Sequence, residues 1–534
     1  MALSTITEQL KALEPAIEKI CAVAGAPSIS LAVSQNNQVI HRFNHGFADV
    51  DSQKPAGSDT LYLIGTMAKA LTASAIGILV DEGKLKWTTL IKDILPNFKT
   101  QSATVTDNLT IVDLLSHRTG LARSNLWWQG ADGALFLDKS ELLSFYSTLE
   151  PTSAFRAAWA YSNWGYAVVG AVIEELTGMS FGQYLEEKLF RPLGMNDTSF
   201  APISIDHAKL AKPYAAMDDA SPHLMPMPPI NDQTIMAPAM GGYSSSDDLL
   251  AYSMALLNAY QDEKKGVKPT SGVIRNATMQ LTSHISTTQT MLEKSYAFGF
   301  YRTQLPNTIL GMGWNSLYVD KMPMLTPKTH AGPVLAHGGS LPGYHVAMAL
   351  IPELDCSVVV CTNSIALGDV SGWVTQAILE VLIEDPNPSD FVGLATRAAR
   401  SNAENVVRFQ KMLESQKTSA ASARPLEGYI GRYRHSKRNW ILEIRPSKGG
   451  DGLEVLFQGQ ESQAWTLHHY EADTFTWLAG REEQAQRGRM VTYPLVASHF
   501  KLMFQGASPS GDIDRIVWAH EAGVPAADQC FFRE

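Results

Sequence analysis

The sequence predicts a mixed α/β (α+β) fold, with an antiparallel sheet flanked by helices and a separate antiparallel β-barrel at the C-terminal end. Three observations predict it. Alternating apolar runs occur near residues 28–50 and again at 344–364; helical patterns fill the stretch between them; after Pro425, eight short strand-like runs follow one another with turn residues between them. Strands from both ends of a segment, enclosing helices, describe an α+β domain with one sheet. Closely spaced short strands describe a small barrel.

The elements follow in order. Residues 8–22 read as an amphipathic helix, with Glu8, Lys11, Glu14, Glu18 and Lys19 alternating with apolar residues. "SISLAVSQNNQVIHRFNHGFADV" reads as two strands turning at Gln35-Asn36-Asn37. The spacing predicts a helix over 66–83, with Leu71, Ile76, Ile78 and Leu79 apolar and Gly83 as its stop. Further helical patterns cover 110–116, 139–147, 164–177, 247–258 and 371–384. "YHVAMALIPE" and "CSVVVCTNS" are strands around the turn Pro352-Glu353-Leu354-Asp355. A polar helix over about 393–416 leads into "KTSAASARP", a small-residue linker. The barrel strands are "GYIGRYRH", "WILEIRPS", "GLEVLFQG", "AWTLHHY", "TFTWLAG", "MVTYPL", "HFKLMFQG" and "IDRIVWAHE". This divides the chain into a main domain (1–385), a helical linker (386–424) and the barrel (425–534).

Composition narrows the function classes. The 534 residues are 45% hydrophobic and 18% charged, with a net charge of -10. No basic face is implied, so neither nucleic acid nor an anionic membrane is an expected partner. Cys21, Cys356, Cys361 and Cys530 form no CxxC pair and no zinc spacing. No basic n-region precedes an apolar core, and no run approaches the ~18 apolar residues of a membrane span. A cytoplasmic protein without metal or cofactor is expected.

Three short motifs carry the chemistry. In Thr66-Met67-Ala68-Lys69 a hydroxyl and an amine share one helix face. The positive end of the helix dipole favours a developing alkoxide there, and a neutral lysine can take the proton. The spacing alone is common: Thr89 and Lys92 repeat it. The second motif is Tyr161-Ser162-Asn163, ahead of an apolar helix, and the third is His337-Gly338-Gly339, followed by Ser340, beside the late strands. Among serines three residues before a lysine, only Ser498 before Lys501 qualifies; "ASHFKLMF" alternates as a strand, which would point the two side chains to opposite faces.

In this order, with "LTIVDLLSHRTGLAR", "FRPLGMNDTSF" and "MAPAMGGYSSSDDLLAY" between and around them, the motifs resemble those of the serine β-lactamase and penicillin-binding-protein superfamily. The likeness is greatest to class C β-lactamases and to the esterases and transesterases of that β-lactamase/transpeptidase-like fold. It covers residues 8–385, and the tail resembles the lipocalin-like barrel attached to some members. The resemblance implies that Thr66 stands at the nucleophile's position, Lys69 at that of its base and Tyr161 at that of the proton-shuttling tyrosine. Asn163 matches the asparagine that contacts the lysine and the substrate. His337, Gly338 and Gly339 match the Lys-Thr-Gly triplet, and the N–H groups of Thr66 and Ser340 match the oxyanion hole.

Three departures stand out: threonine for serine at 66, histidine for lysine at 337, and Ala157-Ala158 for the usual Pro-Gly approach to the tyrosine. The methyl of Thr66 restricts χ1. A neutral or partly charged imidazole is a poorer anchor for a substrate carboxylate than lysine, which argues against penicillins and D-Ala-D-Ala peptides. The expected function is therefore hydrolysis or acyl transfer on an ester, or amide, of a small-molecule metabolite through an acyl-Thr66 intermediate. A carrier-protein or thioester acyl donor is expected if the reaction is acyl transfer, and the resemblance makes a role in secondary metabolism conceivable. Trp127, Trp128, Trp164 and Trp314 flank motif segments and are candidate pocket residues, with core packing as the alternative. Two other readings stand beside this one: a non-covalent isomerase or cyclase using Lys69, Tyr161 and His337, and a catalytically silent binding protein.

Overall fold

The computed structural model describes residues 3–125, 128–201, 206–270, 272–418, 424–489, 495–506 and 511–534. The N-terminal pattern forms two helices, α1 (Leu3–Ala12) and α2 (Glu14–Ala24). Pro15 accounts for the break, because a residue without an N–H is tolerated only in the first turn of a helix. The expected hairpin follows as β1 (Ser28–Gln35) and β2 (Gln38–Asp49). Asn36 and Asn37 have φ of 50° and 57°. A two-residue hairpin turn demands this left-handed pair, and asparagine adopts it at less cost than most residues.

The main sheet has nine strands. In chain order the rest are β3 (Lys54–Pro55), β4 (Ile285–Ser286), β5 (Lys294–Tyr296), β6 (Tyr301–Gln304), β7 (Pro333–Leu341), β8 (Tyr344–Ile351) and β9 (Cys356–Thr362). Across the sheet the order is β3-β2-β1-β9-β8-β7-β6-β5-β4. The two ends of the domain thus pair at its centre, with Ile29 opposite Thr362 and Val33 opposite Val358 in antiparallel register. Every residue of β8 and β9 is buried, because both faces of the sheet are covered. Val358 and Val360 face one core, with α1, α2, α6 (Val370–Leu382) and α7 (Phe391–Ala403). Val359 and Cys361 face the other, with α3 (Ala68–Asp81), α4 (Asn163–Thr177) and α5 (Ser246–Lys264).

The polar helix before the barrel is also broken in two. Phe391, Leu394, Ala395 and Ala398 of α7 share a core with Ile17 and Ile20 of α2. Its continuation, α8 (Asn405–Ser415), turns to the barrel: Phe409 meets Phe500 at 5.8 Å, and the Tyr470 hydroxyl donates to the Leu413 carbonyl at 2.8 Å. Each half is fixed by apolar packing to a different body.

The barrel is closed by β10 (Gly431–His435), β11 (Ile441–Pro446), β12 (Leu453–Phe457), β13 (Ala464–Glu471), β14 (Thr474–Thr476), β15 (Lys501–Gly506), β16 (Ile513–Val517) and β17 (Cys530–Arg533). Its strand content differs from the sequence expectation at two places. "MVTYPL" lies largely outside the described residues, and β17, which pairs with β10 to close the barrel, is the eighth strand. The start of "ASHFKLMF" is a helical turn, Ala497–Phe500, not a strand. Ser498 is exposed there.

Polar contacts and one aromatic seam dock the barrel on the main domain. Arg438, only 3% exposed, donates to Thr148 Oγ1 at 2.9 Å and to the Glu150 carboxylate, itself 8% exposed. Gln463 exchanges hydrogen bonds of 2.8 and 2.9 Å with the Ala131 backbone, and Trp440 packs on Phe145 at 5.3 Å. Glu150→Ala strands the Arg438 cation in a buried seam, which costs about 3–5 kcal/mol. Urea unfolding of this variant should show a lower midpoint, or a separate early transition for the barrel.

Candidate active site

The site forms where β7 runs past its neighbour. β6 pairs with β7 only from Gln304 opposite Pro333 to Tyr301 opposite Ala336. From His337 onward that edge of β7 faces the short helical turn Gly65–Met67 instead. Glycine makes the approach possible. A Cβ on Gly339 would lie 2.3 Å from the Ile64 carbonyl oxygen and 3.1 Å from the Thr66 nitrogen; one on Gly65, whose φ is +55°, would lie 3.2 Å from the Ser340 nitrogen. The Gly338 N–H points away from β8, to the Gly311 carbonyl at 2.6 Å. N–H groups alternate sides along a strand, so that of Ser340 points the same way, toward the Thr66 turn. Gly339→Ala must therefore push the two backbones apart. A displacement of this order lowers kcat by about a hundredfold, and steady-state kinetics on an activated ester should show that loss with KM changed far less.

Lys69 lies in the first turn of α3, a helix buried nearly all round. It is 0% exposed, and burial holds its ammonium pKa well below the usual lysine value. Nζ donates to Asn163 Oδ1 at 2.8 Å and to the Ala239 carbonyl at 2.9 Å. A neutral amine has two hydrogens and one lone pair, so in that form these two oxygens take both hydrogens. Nζ also donates to Met240 Sδ at 3.9 Å, and the same sulfur accepts the Thr66 hydroxyl at 3.1 Å. The Tyr161 hydroxyl donates to Thr66 Oγ1 at 3.4 Å, with Lys69 Nζ 4.8 Å from its ring centre. The second Thr-x-x-Lys pair shows what context does: Thr89 accepts the Lys86 N–H, and Lys92 pairs with Asp107 at 2.8 Å on the surface.

Tyr161 and Asn163 flank the start of α4, and neighbours fix both. The Ser162 N–H donates to His117 Nδ1 at 3.1 Å, so that ring, neutral through burial, carries its hydrogen on Nε2. Asn125 brackets the tripeptide: its Nδ2 donates to the Tyr161 carbonyl and its Oδ1 accepts the Asn163 N–H, both at 3.0 Å.

His337 is 4% exposed, and burial and the nearby Lys69 push its pKa down to about 3. It is neutral at ordinary pH and offers no charge to a ligand. Its Nδ1 bonds the Gly338 carbonyl at 2.9 Å, which makes Nδ1 the protonated nitrogen; among the described residues Nε2 has no partner.

Thr66, Lys69, Tyr161, Asn163, His337, Gly338, Gly339 and Ser340 are thus brought together from three segments of the chain. The tryptophans are not. Trp164 is wholly buried against Phe145 at 4.0 Å, with its indole N–H on the Ser124 carbonyl; Trp128 is buried in the same core. Trp314 packs beside the other core, and Trp127 lies outside the described residues. The aromatic wall consists of residues the sequence reading did not single out. Trp159 meets Tyr301 at 5.6 Å, Tyr301 meets His337 at 5.0 Å, and His117 underlies Tyr161 at 4.5 Å. Trp159 had a local signal, two residues before Tyr161. Tyr296 and Tyr301 had none, because strand pairing alone delivers them. Among the described residues no cluster of three or more histidine, cysteine, aspartate or glutamate side chains is arranged to hold a metal ion, and no helix is long and apolar enough to cross a membrane.

The chain is similar to several known proteins. An unguisins hydrolase of Aspergillus campestris is 26% identical over 321 residues, which cover 59% of this chain and 54% of that protein. Penicillin-binding protein 4* of Bacillus subtilis is 24% identical over 339 residues, 60% of this chain and 64% of its own. The match therefore spans less than two thirds of either relative. The octameric penicillin-binding protein homologue from Pyrococcus abyssi superposes with a TM-score of 0.55 at 19% identity, covering 96% of this chain and 98% of that one, which shows a shared fold. A family described as a domain of unknown function, DUF3471, matches residues 415–531, the barrel and the helix end before it. The family model described as Beta-lactamase matches residues 13–372, well over half of the chain and every strand of the nine-stranded sheet, and the chain belongs to that family.

Proposed function

We propose that this chain hydrolyses an ester, or an amide, of a small-molecule metabolite, or transfers its acyl group, through an acyl-Thr66 intermediate. The observation that carries the reading is the meeting of the Thr66 and Tyr161 hydroxyls beside a buried lysine that is held by the Asn163 side chain and the Ala239 carbonyl. The Thr66 hydroxyl hydrogen turns from the Met240 sulfur to the Lys69 lone pair as Oγ1 attacks the substrate carbonyl carbon. The N–H groups of Thr66 and Ser340 hold the oxyanion. On collapse the bond to the leaving group breaks, and Tyr161 delivers a proton to the departing oxygen or nitrogen while Lys69 restores it. Water, or an alcohol, then attacks the acyl-threonine, releasing the acid or new ester and returning the hydroxyl. The neutral His337 favours an uncharged substrate at that wall, and the names of the relatives support hydrolysis.

A second reading draws on the Thr66–Met240 hydrogen bond, which leaves the hydroxyl turned from the lysine: Lys69 and Tyr161 then perform acid–base chemistry on a bound metabolite without a covalent step. Reaction with a fluorophosphonate, followed by mass mapping, separates the two. An adduct on Thr66 that is lost in Thr66→Ala supports the acyl-enzyme. Turnover that survives Thr66→Ala and vanishes in Tyr161→Phe supports the second. Saturable binding of a ligand with no turnover overturns both in favour of a binding protein.

A further inference from the structure

We propose that Glu521, carried by the C-terminal barrel, is a positioning residue of the active site: its carboxylate fills a backbone anion nest at residues 123 and 124 and, through Asn125, fixes Tyr161 and Asn163. This rests on the reading of those two residues as part of the reacting centre.

The contacts run in an unbroken line. Glu521 Oε1 accepts the Arg123 N–H at 3.2 Å, and Oε2 accepts the Ser124 N–H at 2.9 Å. Two successive N–H groups converge on one anion when the second residue takes a left-handed conformation, and Ser124 has a φ of 41°. A serine held there, with no glycine to ease it, needs an outside partner. The next residue is Asn125, the bracket on the Tyr161 carbonyl and the Asn163 N–H. Asn163 in turn accepts from Lys69. The Ser124 carbonyl also takes the Trp164 indole N–H at 3.0 Å, which ties the nest to α4.

The backbone of Glu521 is itself held in place. The Glu521 N–H donates to Gln529 Oε1 at 2.8 Å, and Gln529 Nε2 donates to the carbonyls of Glu521 and Val524 at 3.2 and 2.8 Å. Gln529 is 2% exposed. The barrel therefore presents a fixed acceptor pair to a loop of the main domain that otherwise carries a strained serine.

The test uses the full-length chain with p-nitrophenyl butyrate as probe. Glu521→Gln keeps the volume and turns one acceptor into a donor facing an N–H. Its expected kcat is about tenfold to a hundredfold lower, with KM within about twofold. Hydrogen exchange should accelerate both in the segment 121–125 and in the segment 161–165, with the rest of the barrel unchanged. Asn125→Ala cuts the next link, so adding Glu521→Gln to it should cost little more. Faster exchange confined to 121–125, an unchanged kcat, or full additivity of the two variants overturns the proposal. If the wild-type chain turns over no ester, the acyl-enzyme reading falls on its own, and the exchange comparison alone decides whether Glu521 positions the site.

Discussion

Lys69→Met is expected to lower ester turnover by about 10³–10⁴-fold, the upper part of what a general base supplies. The side chain volume is kept, and the helix around it is apolar, so the fold survives the change. The pH dependence gives the sharper signature. Only the neutral amine has a lone pair for the Thr66 proton, so kcat/KM of the wild type rises as pH passes upward through the depressed Lys69 pKa and then levels. His337 adds no step near neutrality, because it is already uncharged above about 3.

Stability should move with pH in the matching sense. The folded pKa of Lys69 lies below the unfolded one, so between them the unfolded chain binds the extra proton, and wild-type stability increases as pH rises across that window. Lys69→Met removes that slope. Denaturation midpoints measured at several pH values should show the wild type losing ground to the variant as pH falls from the unfolded lysine pKa toward neutrality. A constant difference between the two would mean that Lys69 is charged in the folded protein, and the base assignment would fail.

Thr66→Ser should raise turnover of an activated ester by about tenfold to a hundredfold, while Thr66→Ala removes both turnover and the covalent adduct. The threonine methyl narrows the choice of χ1 and sets Oγ1 toward Met240, 3.1 Å away. Serine keeps the hydroxyl and frees the rotation, and placing the oxygen within about 1 Å of its attack position accounts for a gain of that size. Presteady-state acylation is the direct measure, since it separates attack from release of the acyl group. If Thr66→Ser is no faster, the methyl is not the restraint, and Met240 becomes the group to vary.

Much of the architecture was legible because it rests on local pattern. Alternation marks β1, β2, β8 and β9; the paired asparagines mark the hairpin turn; the apolar run marks α3. The three motifs marked Thr66, Lys69, Tyr161, Asn163 and the strand at 337–340, and the family resemblance supplied their roles. Where the reading failed, the deciding contact was remote. Trp164 flanks a motif, yet Phe145 stacks on it within the main core. The segment before the barrel reads as one polar helix, yet its halves bury different faces on different bodies. β17 is short and follows a loop, and pairing with β10 alone makes it a strand.

The sequence by itself determined the central strands, the hairpin turn, the helix α3, and which hydroxyl and amine lie at its start, because these depend on residues a few positions apart. Only the tertiary structure decided the chemistry of that pair. Burial lowers the Lys69 pKa and leaves His337 uncharged, a sulfur 174 positions along the chain accepts the Thr66 hydroxyl, and a glutamate from the barrel closes the nest behind Asn125. Each of these is set by the dielectric and the hydrogen-bond partners that folding brings into place, which no spacing along the chain encodes.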